Sequence, residues 1–276
     1  MATNVKSFCS IHYASGGLLS SLHYYRKMMR LHWLLPTIKG IPVLMYHRVW
    51  PGQKDGLTVT PEQLEEQWQF LKTEGYTAIS LEDFIATAKG DRKQSGREVL
   101  LTFDDGYQNN LTYVYPLLRK MGWKAVFFVI ADSLKGNIDA DDQLNRKLTE
   151  EELKTLDPEV VQIAMHGYHH ENFKELTIGE MQTVIEKTID IFQSKEIPLH
   201  KSIAYPFGGR PKNSNTFNEF KSWMRLSGIS AGFRIGNQVS KVPAEDIYEI
   251  KRIDIRGTDS LDNFKIKLRK GKLKPF

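Results

Sequence analysis

Six short, mostly apolar segments recur along the chain: "PVLMYH" (42–47), "EVLLTF" (98–103), "KAVFFVI" (124–130), "EVVQIAM" (159–165), "KSIAYP" (201–206) and "GISAGF" (228–233). Each has the length of a strand buried on both faces. Helix signals lie between them. Thr60 and Pro61 open one, with Gln63 three residues after Thr60 and Leu64, Trp68 and Leu71 at helical spacing; Thr149 to Glu152 and Thr177 to Glu180 form two more capping boxes. Strands alternating with helices predict a parallel sheet or barrel with helices outside. A chain of 276 residues can bury one large core, and no repeat, low-complexity tract or linker divides it. One domain with short appendages is expected.

Cys9 is the single cysteine, which rules out an internal disulfide. The net charge of +5 is concentrated at the ends. Residues 1–40 hold Lys6, Arg26, Lys27, Arg30 and Lys39 without an acid, and residues 263–276 hold Lys265, Lys267, Arg269, Lys270, Lys272 and Lys274 without one. The body between them is mildly acidic. We therefore divide the chain into a basic N-terminal extension (1–40), a catalytic-sized body (41–262) and a basic C-terminal tail (263–276). Such ends either rest on an anionic surface or are solvated tails. Residues 18–33 place Leu18, Leu22, Tyr25, Met29 and Trp33 on one helical face and His23, Lys27 and Arg30 on another, the pattern of a helix at a membrane surface or docked on the body. No run of eighteen apolar residues predicts a membrane span, and no signal-peptide pattern opens the chain. The expected location is cytoplasmic or peripheral to the membrane, or extracellular or periplasmic if the true start lies elsewhere. Peripheral membrane contact through the basic ends is expected, and no nucleic-acid partner.

In strand-and-helix folds of this kind, chemistry gathers where strands end. His47 closes the first segment, Asp104 and Asp105 the second, His166 follows the fourth, and "YPFGGR" (205–210) closes the fifth. His166, His169 and His170 fall within five positions, at separations that let two imidazoles meet one ion; a solvated polar loop is the alternative. Adjacent carboxylates raise each other's pKa unless a cation is shared. Two imidazoles and one carboxylate make a common catalytic zinc set, and the second carboxylate beside it would serve as a general base. Read alone, "DDG" is equally a turn or a helix cap, with Gly106 supplying the backbone angles. Asn109 and Asn110 are candidate caps for a helix starting near Leu111. Tyr46, Tyr107, Tyr168, Tyr205 and Phe207 flank these motifs and offer flat faces to a pyranose, or simply pack.

"LTFDDG" (101–106), His166-x-x-x-His170 and "YPFGG" (205–209) together resemble the polysaccharide deacetylase family, carbohydrate esterase family 4 or NodB-homology domain, from about residue 41 to about residue 256. "PVLMYHRV" (42–49) and "EIKRIDI" (249–255) are most similar to the branch that deacetylates poly-β-1,6-N-acetylglucosamine. The resemblance implies a distorted (β/α) barrel of about seven strands and a metal-dependent hydrolase that removes N-acetyl groups from N-acetylglucosamine-containing oligo- or polysaccharides. It implies Asp104 as general base, and Asp105, His166 and His170 as ligands of a divalent metal, Zn²⁺ first and Co²⁺, Ni²⁺ or Mn²⁺ next. His169 is then a bystander. The Phe207 backbone N–H would face the oxyanion, Tyr107, Tyr205, Pro206 and Gly208 would line the sugar pocket, and His47 would be the general acid. Three positions depart from the family pattern. Gly167 replaces a Ser or Thr, Ala204 replaces an Arg that partners the catalytic Asp, and no Leu-x-x-His motif follows near the end. These departures leave a second reading open, a catalytically weak carbohydrate-binding relative of the same fold.

Overall fold

All six apolar segments become strands in the computed structural model, which describes residues 39–135 and 142–272. The amphipathic stretch 18–33 and nearly all of the N-terminal extension lie outside the described residues. In chain order the strands are β1 (Val43–Tyr46), β2 (Arg48–Val49), β3 (Thr58–Val59), β4 (Tyr76–Ala78), β5 (Arg97–Asp104), β6 (Ala125–Val129), β7 (Val161–Met165), β8 (His200–Ala204), β9 (Ala231–Ile235) and β10 (Ile250–Asp254). The helices are α1 (Pro61–Thr73), α2 (Leu81–Lys89), α3 (Tyr115–Met121), α4 (Glu150–Lys154), α5 (Ile178–Ser194), α6 (Ser214–Leu226) and α7 (Leu261–Lys270). The three capping boxes form as expected, at Thr60, Thr149 and Thr177. In each, the threonine oxygen takes a first-turn N–H while the Gln or Glu three residues on returns to the cap N–H, satisfying two of the helix's open donors.

Seven strands close a parallel ring in the order β1, β10, β9, β8, β7, β6, β5 and back to β1, the barrel expected from the sequence. Strand β4 pairs with the first half of β5 and takes no part in the ring. Alternate strand residues face opposite sides, and the two sides pack separately. Val43, Leu100, Val126, Phe128, Ala164, Ala204, Phe233 and Ile250 form an inner cluster, which Leu81, Phe84 and Ile85 of α2 join. Leu44, Leu101, Phe103, Phe127 and Ile253 face outward onto Leu64, Trp68 and Leu71 of α1. Between β7 and β8 the register jumps: Ala164 pairs with His200, but Met165 pairs with Ile203. This irregularity sits directly before His166.

The C-terminal stretch is not a tail. Residues 261–270 form α7, whose Phe264 and Leu268 are buried in the outer cluster. Lys267, counted from sequence among solvated charges, is buried with its ammonium 2.5 Å from Asp259 and 2.8 Å from the Asp254 carbonyl. Leu261, Phe264 and Leu268, at intervals of three and four in "LDNFKIKL", carry this packing, but the density of lysine hides them. Asn109 and Asn110 do not cap α3 either. The Asn109 side chain accepts the Val49 N–H and donates to the Leu144 carbonyl, tying three loops together, and Asn110 opens a π-turn, 110–114, that runs into α3.

Candidate active site

Adjacent strand residues point to opposite faces, so Asp104 and Asp105 share a face only if the chain leaves the strand between them. It does: Asp104 ends β5, and Asp105 (φ 72°) and Gly106 (φ 67°) both take the left-handed conformation. A side chain at position 106 would also press on Val129, at 3.1 Å from its Cγ1. Beside this corner, His166 leaves the end of β7. Its Nδ1 lies 2.8 Å from the Ala204 carbonyl, which accepts a hydrogen bond and so leaves Nε2 as the free lone pair. That Nε2 is 3.3 Å from Asp105 Oδ1, and the His170 Nε2 is 3.4 Å from the same oxygen. The three ligand atoms lie within 4.8 Å of one another.

Asp105 Oδ1 is buried and has no hydrogen-bond partner. Three lone-pair donors therefore converge on a point that only positive charge can stabilise. Burial alone raises the Asp105 pKa and lowers that of His166, yet each is driven the other way, because the His166 imidazole lowers Asp105 and the two carboxylates raise His166. Without a cation a proton serves in its place. The set fits a divalent metal, and its two nitrogens and one oxygen suit Zn²⁺ and several neighbours in the series. His169 turns away to Asp132, at 2.9 Å, and is 59% exposed.

Gly167 has φ 78°, and a Cβ there would lie 2.9 Å from the Glu171 carboxylate. Glu171 occupies the space, accepting the N–H groups of Tyr168 and His169 at 2.9 and 3.0 Å. A carboxylate thus steadies the ligand loop where the family pattern has a hydroxyl. Nothing in "HGYHHE" distinguishes this acid from a solvated one, so sequence reading missed it.

Asp104 has a partner that sequence reading also missed. Arg252, in the middle of β10 and 1% exposed, donates to both Asp104 oxygens at 2.6 and 2.7 Å. Burial pushes the Asp104 pKa up, but the Arg252 guanidinium, with His166 and His47, outweighs it and holds the carboxyl below its ordinary range. The function of the arginine absent at Ala204 is supplied from another strand. "EIKRIDI" carried the signal: Ile250, Arg252 and Asp254 alternate with Lys251 and Ile253, placing an arginine on the inward face of a strand-like run.

His47 follows β1, with its Nδ1 buried and unpartnered. Burial pulls its pKa down, and Arg252 and His166 add to this against the pull of Asp104 and Asp105. Pro206 to Gly208 form a tight turn in which Phe207 has φ 57°. The Gly208 and Gly209 N–H groups close that turn onto Tyr205 and Pro206, and neither bond uses the Phe207 N–H. The Phe207 ring is 67% exposed and lies edge-on against His170, 4.4 Å between centroids. Pro206 is buried, and Gly208 lies against Ile235.

Two aromatic candidates are structural. Tyr205 is fully buried among Phe173 and Phe217, its hydroxyl donating to the Tyr248 carbonyl, so it does not line a sugar pocket. The next residue in a strand faces the other way: Ala204 is inward, so Tyr205 is outward. Tyr46 likewise packs on Phe103 and donates to Gln67. Tyr107 stays at the site, nearly buried, two residues beyond Asp105. Its ring carries Lys147, whose Nζ is 3.3 Å from the centroid. Burial lowers the Lys147 pKa to about 8 against the pull of Asp105, with Arg48 adding to the lowering.

Residues 91–222 match the family described as Polysaccharide deacetylase. Over 168 residues the chain is 30% identical to YxkH of Bacillus subtilis (strain 168), covering 61% of this chain and 57% of that protein, so the match spans little more than half of the relative. It is 28% identical over 204 residues to the poly-beta-1,6-N-acetyl-D-glucosamine N-deacetylase of Staphylococcus epidermidis, covering 71% of this chain and 67% of the relative. Among solved structures, the fold is similar to the Streptococcus pyogenes deacetylase PplD in complex with acetate, with a TM-score of 0.69, 22% identity, and coverage of 84% of this chain and 99% of that one.

Proposed function

We propose that this chain, whose residues 91–222 match the polysaccharide deacetylase family and whose barrel has the fold of a solved deacetylase, is a metal-dependent hydrolase removing N-acetyl groups from N-acetylglucosamine-containing oligo- or polysaccharides. The observation that carries the reading is the convergence of Asp105, His166 and His170 beside a carboxylate kept ionised by Arg252. Asp105, His166 and His170 would hold the ion, Zn²⁺ being the leading candidate. When bound, a divalent cation polarises an amide carbonyl and brings the pKa of water toward neutrality.

The protein's own groups supply the rest. Asp104 accepts the proton of the attacking water, and the Arg252 fork fixes both of its oxygens so that it does so from one orientation. The Phe207 N–H donates to the carbonyl oxygen as that oxygen gains charge, a kind of donor whose loss costs about 3–4 kcal/mol of barrier. His47 delivers a proton to the departing amine. Burial disfavours the charged form of its imidazole, so a proton that reaches it during turnover is readily passed on. Asp104, which has just accepted one and whose carboxyl is made acidic by Arg252, is the neighbouring source. Tyr107, Gly208 and the exposed Phe207 ring border the sugar. Arg252 and Glu171 stand in for two groups missing from the motifs, and this favours catalysis over a binding-only relative.

The test is acetate release from a panel of N-acetylglucosamine oligomers, with chelator and with Zn²⁺, Co²⁺, Ni²⁺ or Mn²⁺ restored. Release that stops on chelation and returns with metal supports the reading. Asp104→Asn is expected to lower kcat at least about 100-fold while retaining bound metal by elemental analysis. Oligomer binding with no acetate release under any metal would establish the binding-only relative instead.

A further inference from the structure

The chain places two cations against one tyrosine ring beside the metal-ligand corner. Lys147 Nζ lies 3.3 Å from the Tyr107 centroid, and Arg48 Cζ lies 5.7 Å from it. Neither position is left to side-chain wandering. Residues 146–148 run antiparallel to 106–108: Gln108 donates to the Arg146 carbonyl, Leu148 donates to the Gly106 carbonyl, and Tyr107 pairs with Lys147. Lys147 is thus fastened to the strand end that carries Asp105. Arg48 follows His47 directly and donates to Asn145 Oδ1 at 2.5 Å, which ties it to the same loop.

The two cations are not equally compensated. Arg48 has Asp55 at 3.4 Å and lies in the field of Asp142. Lys147 has no carboxylate within 4.0 Å among the described residues, although it is largely buried and its Arg48 neighbour repels it. Asp105, the acid within its electrostatic reach, already faces two imidazoles. Holding Lys147 beside Arg48 with no carboxylate in contact costs stability, and an anion meeting the ammonium would offset that cost.

We propose that Lys147, assisted by Arg48, forms an anion subsite at the mouth of the barrel that holds a carboxylate or phosphate group carried by the glycan next to the N-acetylated sugar. This rests on the deacetylase reading above and narrows it to acidic glycans. Tyr107 gives the subsite its floor: the ring face holds the ammonium by cation–π attraction, so an incoming anion meets a charge already in position rather than a free side chain.

The experiment compares acetate release by the full chain from matched neutral and acidic substrates. One arm sets an N-acetylglucosamine tetramer against a tetramer alternating N-acetylglucosamine with glucuronate; the other sets the methyl glycoside of N-acetylglucosamine against N-acetylglucosamine 1-phosphate. An acidic substrate is expected to show kcat/KM at least about tenfold higher, expressed in KM and shrinking with added salt. The arm that shows it identifies carboxylate or phosphate. Lys147→Met should erase the advantage while leaving the neutral substrate within about twofold, and Lys147→Arg should keep it. Equal use of charged and neutral substrates, or a Lys147→Met loss shared by both, overturns the subsite. Calorimetric binding of the same sugars to chelator-treated protein separates the two readings. Lys147-dependent binding of acidic sugars with no acetate release under any metal removes the deacetylase reading and keeps the subsite, whereas acetate release without charge preference removes the subsite alone.

Discussion

Arg252, which grips both oxygens of Asp104, is the foremost of the groups that keep it an anion inside the barrel. Removing the arginine strands a buried carboxylate, and breaking such a pair from one side costs about 3–5 kcal/mol. Arg252→Met is therefore expected to lower thermal stability sharply by calorimetry. It also releases the group that depresses the Asp104 pKa, so the acid limb of kcat/KM should move to higher pH. The sign for stability follows. In the wild type the depressed pKa contributes stability that is complete above the ordinary carboxylate range and is lost as pH falls through the folded value. In Arg252→Met the folded pKa lies higher than in the wild type, so its stability deficit shrinks on acidification. Adding Asp104→Asn to Arg252→Met should recover stability without recovering turnover. If the deficit persists in the double variant, the pair is not its cause.

At the scale of elements, what could be read from sequence was whatever depends on local pattern. Apolar runs of strand length and capping boxes are set by neighbours three or four residues apart, and the six strands and three caps formed where they were read. The candidate metal triad was legible because its histidines share one loop and its aspartate follows an apolar run. Arg252 was not: the alternation in "EIKRIDI" can turn the arginine inward, but its pairing with Asp104 requires the ring to close. Tyr205 misled for a related reason: proximity to a motif does not reveal which way a strand residue points. Helix α7 was taken for a tail because basic residues are interleaved with its apolar ones and no acid follows residue 262, yet Phe264 and Leu268 sit in the core and Lys267 neutralises Asp259. Burying each such apolar side chain stabilises by about 1.5–3 kcal/mol. Truncation after residue 260 should therefore lower the melting temperature by well over 5 °C or prevent folding. A truncated chain that melts with the full one would show that α7 contributes nothing.

At the scale of the whole molecule, a ligand that binds the folded site alone stabilises the entire barrel. Zn²⁺ at about 100 times its dissociation constant adds about 2.7 kcal/mol, which for a domain of this size is roughly 5–10 °C in melting temperature. The rise should vanish in Asp105→Asn. It should also fade as pH falls through the imidazole range, because the histidines bind as neutral rings and the carboxylates around His166 favour its protonated form. A pH-independent shift would place the metal elsewhere. Ring closure has one further result. Asp105, His166 and His170 all precede α5, whereas β1 gains its second neighbour, and Asp104 its guanidinium, only when β10 is present. A chain still emerging from the ribosome holds all three candidate ligands well before it holds the partner of Asp104, so on the proposed function metal capture would precede catalytic competence in the protein's biosynthesis.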